Sequence, residues 1–161
     1  MRALVLGAGA VGTKVAQQLL SSNTVDKILL RDIAPEKLGI ASKTLGSRVE
    51  VEHFPFPQNM DADVVVVASP RGTQLEAVKK AISLRRPTVV VSDGLSETVS
   101  ILNLEKEAFE LGVPVVVGTG FAPGLSCVLS AYGKTLLEQT EEIHVSKMGT
   151  GGPACALVHH R

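Results

Sequence analysis

The sequence predicts an α/β fold, a doubly wound parallel sheet with helices on both faces, and three observations carry that prediction. Short apolar runs alternate with longer segments of helical period up to Val117. One run, Val64-Val65-Val66-Val67, is continuous enough for a strand buried on both faces. The first run leads at once into Gly7-Ala8-Gly9-Ala10-Val11-Gly12, a glycine-rich corner between strand and helix.

The elements follow in order. Ala3–Leu6 reads as a buried strand. From about Ala10 to Ser21 a helix presents Val11, Val15, Ala16 and Leu19 on one face. Lys27–Arg31 is a second strand. Pro35–Leu45 is a helix opened by proline in its first turn. Val49–His53 alternates apolar and polar residues, as a strand near a sheet edge does. The stretch Phe54–Met60, with Pro55 and Pro57, is the expected crossover between two halves. Asp63–Ala68 is then a strand, Thr73–Ser83 a helix, Pro87–Val91 a strand, Asn103–Leu111 a helix and Val113–Val117 a strand. Six strands in two halves give the order 3-2-1-4-5-6 of a Rossmann fold. Beyond them, Gly124–Glu138 reads as a helix, Glu142–Met148 as another strand and Gly149-Thr150-Gly151-Gly152-Pro153 as a loop. The expected division is a dinucleotide-binding domain over 1–122. Residues 123–161 are expected to be the linking helix and first strand of a second, α+β domain that is cut short.

Composition narrows the function. The 161 residues are 45% apolar, enough for one domain with a core. Sixteen basic residues balance sixteen acidic ones, so no global field attracts nucleic acid or an anionic membrane. One Tyr, four Phe and no Trp leave few surfaces for stacking bases. Cys127 and Cys155 can pair, but two cysteines are no disulfide framework, and free thiols in a cytoplasmic protein are the simpler reading. Gly7 interrupts the apolar start too early for a signal peptide, and no apolar stretch approaches the roughly 18 residues of a membrane span. The expected location is the cytoplasm. The expected partners are a small-molecule substrate and, through apolar segments lacking the rest of their domain, a second copy of the chain in a homodimer. Nucleic acid and membrane are not expected.

Gly7, Gly9 and Gly12 fit the spacing G-x-G-x-x-G. Gly7 allows the tight turn, Gly9 lets backbone approach a pyrophosphate, and Gly12 lets the helix pack close to the sheet. The amides of Ala10, Val11 and Gly12 then open a helix whose partial positive charge faces the phosphates. Asp32 ends the second strand, 20 residues after Gly12, where a carboxylate can accept bonds from the adenosine ribose. The bland alternative is a glycine turn that merely closes a strand–helix corner. Gly12-Thr13-Lys14 has the wrong order for a P-loop, and Leu136, four residues after Tyr132, excludes the Tyr-x-x-x-Lys pair of short-chain dehydrogenases. Methyltransferases that bind S-adenosylmethionine usually show G-x-G-x-G after an acidic residue, and Leu6 and Val11 hold those places.

The cofactor is therefore NAD or NADP. Asp32 favours NAD by repelling a 2′-phosphate, whereas Arg31 can stack on adenine or hold that phosphate. Ligands in such sheets lie at the carboxyl ends of the strands. Ser69-Pro70, Asp93 and the Gly120–Gly124 loop with Pro123 are thus candidates for the nicotinamide half. Their residue types also suit ordinary turns and, for Asp93, a helix cap. Cys127, beside Ser126 at a helix start, can have a lowered pKa, although a small buried thiol is the commoner role. No Cys or His spacing fits zinc, and no catalytic acid or base stands out; Lys147 and His160 are the first places to look.

The Gly7–Gly12 turn, Val64–Pro70 with the alanine-containing helix after it, Val89–Ser92, Val115–Gly118, Pro123-Gly124 and Gly151-Gly152-Pro153 together resemble the saccharopine dehydrogenase-like reductases. That resemblance covers nearly the whole chain. It implies an N-terminal cofactor domain and a second domain holding most of the substrate pocket. It also implies hydride transfer that reduces imines of an amine and a keto acid, or oxidises the resulting secondary amine. Ala122 stands where members acting on saccharopine-type substrates often carry Asp. A different class of function, a non-enzymatic NAD(H)-responsive regulatory domain, uses the same turn and remains the alternative.

Overall fold

Strand β1 (Arg2–Leu6) lies at the centre of a six-stranded sheet in the computed structural model of the chain, which describes residues 1–53, 59–91, 94–146 and 148. The other strands are β2 (Lys27–Asp32), β3 (Val49–His53), β4 (Val64–Val67), β5 (Thr88–Val90) and β6 (Val115–Val116). Their order is β3-β2-β1-β4-β5-β6, every pairing is parallel, and the expected doubly wound fold is present. Leu4 stands opposite Leu29 on one side and Val65 on the other, so β1 is flanked by apolar strands along its length.

The pleat sends alternate residues into two cores. Ala3, Val5, Ile28, Leu30 and Val66 meet helices α1 (Ala10–Leu20) and α2 (Pro35–Leu45) through Ala16, Leu38 and Ala41. On the other face, Leu4, Leu6, Leu29, Val65 and Val67 meet α3 (Gln74–Ser83) through Val78 and Ile82. That second core also takes in Ile101 of α4 (Leu95–Leu102) and Ala108 of α5 (Glu105–Glu110). The edge position expected for β3 holds: Val49 is buried, and Val51 is exposed.

Two expectations are corrected. The sequence reading has one helix at Asn103–Leu111, where the structure has α4 and α5, with α4 beginning at Leu95. Its apolar residues Leu95, Val99 and Leu102 share helical spacing yet face solvent, while Glu97 and Ile101 are buried. The strand expected at Glu142–Met148 is absent from 142–146, where no neighbouring strand pairs with the backbone and Ile143 and Val145 are exposed. Helix α6 (Leu125–Thr135) is present, shorter than its expected Gly124–Glu138, and buries only Ser126. No helix among the described residues is long and apolar enough to cross a membrane.

The two ends of the sheet differ in chemistry. At the amino edge, Arg2 meets Asp61 at 2.9 Å and Glu50 at 3.4 Å, and Lys27 also pairs with Glu50. Such exposed ion pairs contribute at most about 1 kcal/mol each. The glycine turn and the strand-end loops lie at the opposite, carboxyl edge.

Candidate functional site

Between β1 and β4 the sheet changes winding direction, the place where sheets of this kind take their ligands, and the turns after these two strands flank it. Gly7 amide nitrogen donates to the Arg31 carbonyl at 2.8 Å, and Ala68 donates to the Leu6 carbonyl at 2.8 Å, so the turn is laced to β2 and β4.

The three glycines of the turn lack side chains for different reasons. Gly7 has φ of +104°, and a Cβ there would lie 2.6 Å from the Ala68 carbonyl oxygen. Gly12 has its helix so close to the turn that a Cβ would lie 1.8 Å from the Gly7 carbonyl oxygen. Gly9 has neither constraint: its φ of −76° suits any residue, and a Cβ would meet no atom of the described residues within 4 Å. Packing within the chain therefore explains Gly7 and Gly12 but not Gly9. The bare backbone at Gly9 is a cradle that a side chain would fill from the outside.

Gly9 is also the N-cap residue of α1. The first intrahelical bond runs from Thr13 amide to the Gly9 carbonyl at 3.0 Å, so the amides of Ala10, Val11 and Gly12 precede it. No side-chain cap and no acidic residue in the first turn offsets their partial positive charge. This donor set suits an anion.

Asp32 closes the site from β2. Its Oδ2 accepts from the Ala8 amide at 2.6 Å and its Oδ1 from the Ala34 amide at 2.8 Å. The carboxylate thus ties the glycine turn to the start of α2. Arg31, one residue earlier, turns to β3: its Nε donates to Glu52 Oε2 at 2.7 Å, and another guanidinium nitrogen donates to the Asn59 carbonyl. Its side chain is 11% exposed.

Ser69 and Pro70 follow β4. The Ser69 hydroxyl accepts from Thr73 Oγ1 at 2.9 Å, and its carbonyl accepts from Gln74 Nε2 at 2.8 Å. Gln74 Nε2 also donates to the Val91 carbonyl at 3.1 Å, joining the ends of β4 and β5. Glu97, buried on α4, accepts from the amides of Gly72 at 2.8 Å, Gln74 at 2.9 Å and Leu75 at 3.1 Å. Sequence reasoning missed Gln74 and Glu97. Their partners are remote in sequence, and no local motif marks them.

Gly120 and Pro123 lie at the same edge beyond β5, where Thr119 Oγ1 donates to the Val90 carbonyl at 2.9 Å. The loop folds tightly on itself. Gly120 bridges Gly124, whose φ is +134° and whose Cβ would lie 2.1 Å from the Gly120 carbonyl oxygen, and the Ala122-Pro123 bond is cis. Cys127, expected as a buried thiol, is exposed instead, because α6 turns only Ser126 inward. Hydrogen bonding from the Gly124 backbone, and secondarily from the Ser126 hydroxyl, holds its pKa below the usual thiol value. Asp93, Lys147 and His160 lie outside the described residues. Among the described residues, no cluster of three or more His, Cys, Asp or Glu side chains is placed to hold a metal ion.

No protein-family model matches the chain. Solved structures do resemble it. Scyllo-inositol dehydrogenase from Lactobacillus casei superposes with a TM-score of 0.66 at 21% identity, over 84% of this chain and 40% of that one. Saccharopine dehydrogenase (L-Glu forming) from Saccharomyces cerevisiae gives 0.65 at 21% identity, over 84% of this chain and 30% of that one. GenD2 from gentamicin A biosynthesis, in complex with NAD, gives 0.61 at 23% identity, over 75% of this chain and 35% of that one. At these identities the likeness is one of fold, and this chain spans well under half the length of each.

Proposed function

We propose that this chain binds a nicotinamide dinucleotide, NAD in preference to NADP, on the Gly7–Gly12 turn. It is the cofactor-holding part of an oxidoreductase that moves hydride to or from an amino-acid or imine substrate. The observation that carries the reading is Gly9, the one glycine of the turn that the chain's own packing does not require, at an uncapped helix start. A pyrophosphate against that backbone accepts from the amides of Ala10, Val11 and Gly12. A helix terminus contributes about 0.3–1 kcal/mol to holding a negative charge, and up to ~2 kcal/mol where partly buried.

Asp32 supports NAD. A carboxylate has roughly four acceptor positions, and the Ala8 and Ala34 amides use two of them. The remainder can take ribose hydroxyl groups, while a 2′-phosphate in that place is repelled. Arg31, the cation able to offset the repulsion, is engaged by Glu52 and the Asn59 carbonyl. Ser69, Pro70, Gly120 and Pro123 border the nicotinamide half in this reading. The cofactor, when bound, supplies the hydride chemistry; the chain binds and orients it. The amino-acid or imine substrate rests on the resemblance at Pro123-Gly124 and Gly151-Gly152-Pro153. A saccharopine dehydrogenase among the similar folds supports it.

The test is a fluorescence titration with NADH, followed by the same titration of Gly9→Val. Wild type is expected to enhance NADH emission saturably, and Gly9→Val to bind at least tenfold more weakly at an unchanged melting temperature. No saturation of the wild type with NADH or NADPH overturns the reading.

A further inference from the structure

We propose that Glu97 is a positioning residue for the nicotinamide half of the site, acting through Gln74 on the Ser69–Pro70 turn. The inference rests on the cofactor reading above and assigns a role to a residue that touches neither the glycine turn nor Asp32.

The capping of α3 is anomalous. Thr73 is the N-cap residue of α3, and threonine suits that place, yet its hydroxyl makes no capping bond. It donates instead to the Ser69 hydroxyl at 2.9 Å and the Pro70 carbonyl at 2.7 Å. The capping task passes to Glu97, on a different helix, whose carboxylate accepts from three amides at the start of α3. Glu97 is only 9% exposed, and a buried carboxylate is expensive unless its acceptors are filled. Three N–H donors and the positive end of a helix fill them.

The arrangement frees the first turn of α3 to hold the strand-end loops. Gln74, the first residue of α3, is 4% exposed, and its Nε2 reaches both the Ser69 and Val91 carbonyls. These oxygens follow β4 and β5, the neighbouring strands on the second side of the winding switch. Arg71 lies over the start of α4, with its Nε where a Cβ of Gly94 would be only 2.7 Å away. Glu97 therefore sets where α3 begins, Gln74 carries that placement to Ser69, and Thr73 fixes the Ser69 hydroxyl. The adenosine end of the site makes none of these bonds: Asp32 is held by the Ala8 and Ala34 amides, and the glycine turn by the Arg31 carbonyl and by Ala68, whose backbone bonds to β1 do not involve Gln74 or Glu97.

The two halves can be separated by ligand. ADP-ribose carries the adenosine and pyrophosphate but no nicotinamide. Glu97→Gln and Gln74→Met are each titrated with NADH and with ADP-ribose, with melting temperatures recorded alongside. Glu97→Gln keeps the shape and loses acceptors; Gln74→Met keeps the length and loses both bonds to the loops. The expected result for each variant is NADH affinity reduced roughly tenfold, the scale of one or two lost hydrogen bonds, with ADP-ribose affinity within about twofold of wild type. If Glu97→Gln does not fold, Gln74→Met carries the comparison. Equal losses for the two ligands, or no loss for NADH, overturn the inference while leaving the cofactor reading intact. Failure of the wild type to bind either NADH or ADP-ribose overturns the cofactor reading itself.

Discussion

Gly7, Gly9 and Gly12 are separable by mutation because only two of them are demanded by the fold. Gly12→Ala puts a methyl group against the Gly7 carbonyl and is expected to lower stability by about 1–3 kcal/mol in denaturant unfolding. Gly9→Ala meets no atom of the described residues and is expected to leave the unfolding midpoint unchanged; a Gly9→Ala as destabilising as Gly12→Ala contradicts that assignment. Asp32→Ser has two consequences. It removes the acceptor of the Ala8 and Ala34 amides, at a cost of about 1–3 kcal/mol, and it raises affinity for NADPH relative to NADH. Unchanged discrimination between the cofactors shows that Asp32 does not meet the ribose. Cys127 is expected to alkylate with iodoacetamide at half-maximal rate below the pH required by an unstructured cysteine peptide. Its thiolate is favoured by the Gly124 backbone and Ser126, so the reactive form persists to lower pH; a profile at or above the peptide's contradicts this. At this scale the glycine turn and Asp32 were legible because their chemistry is local and set by spacing. Glu97 was not, because its acceptor role exists only once α3 and α4 pack together. Arg31 was half legible: its proximity to Asp32 was visible in sequence, its engagement by Glu52 on the next strand was not.

Helix α4 shows why periodicity can mislead. Leu95, Val99 and Leu102 make an apolar stripe at helical spacing, yet the structure exposes it and buries the carboxylate of Glu97. Serine, threonine and valine within Leu95–Leu102 also weaken the local helix signal, so the sequence pattern does not mark α4 and extends α5 to Asn103–Leu111. The early elements were legible because burial and pattern agree there: Val64–Val67 is an apolar run in a strand with neighbours on both sides. Helix α6 stands at the other extreme, with Leu125, Val128, Leu129, Tyr132, Leu136 and Leu137 along and just beyond it all exposed. The two environments predict different responses to truncation. Leu4→Ala, at a fully buried position in the central strand, is expected to cost about 2–5 kcal/mol. Leu129→Ala, 55% exposed, stays within about 0.5 kcal/mol. Similar losses at the two positions in urea unfolding show that α6 is packed in solution in a way the structure does not have.

Across the whole molecule, the sheet order places the glycine turn, Asp32, Ser69 and the Gly120–Gly124 loop at one edge and the Arg2, Lys27, Glu50 and Asp61 charges at the other. The winding switch lies between β1 and β4, and the chain reaches it from both halves through short turns. That architecture was legible in the alternation of strands and helices. What lies past α6 was not, since a strand such as the one expected near Glu142–Met148 needs a partner strand to form. Everything proposed for the site turns on a dinucleotide whose pyrophosphate sits on the bare backbone at Gly9. The most direct measurement is an amide-resolved NMR titration of the isotopically labelled chain with NAD. Saturable shifts are expected at the amides of Gly9, Ala10, Val11 and Gly12 and at Ala34, with Lys27 and Glu50 at the opposite edge unmoved. Saturable shifts confined to other parts of the chain, or no shift with either NAD or NADP, contradict it.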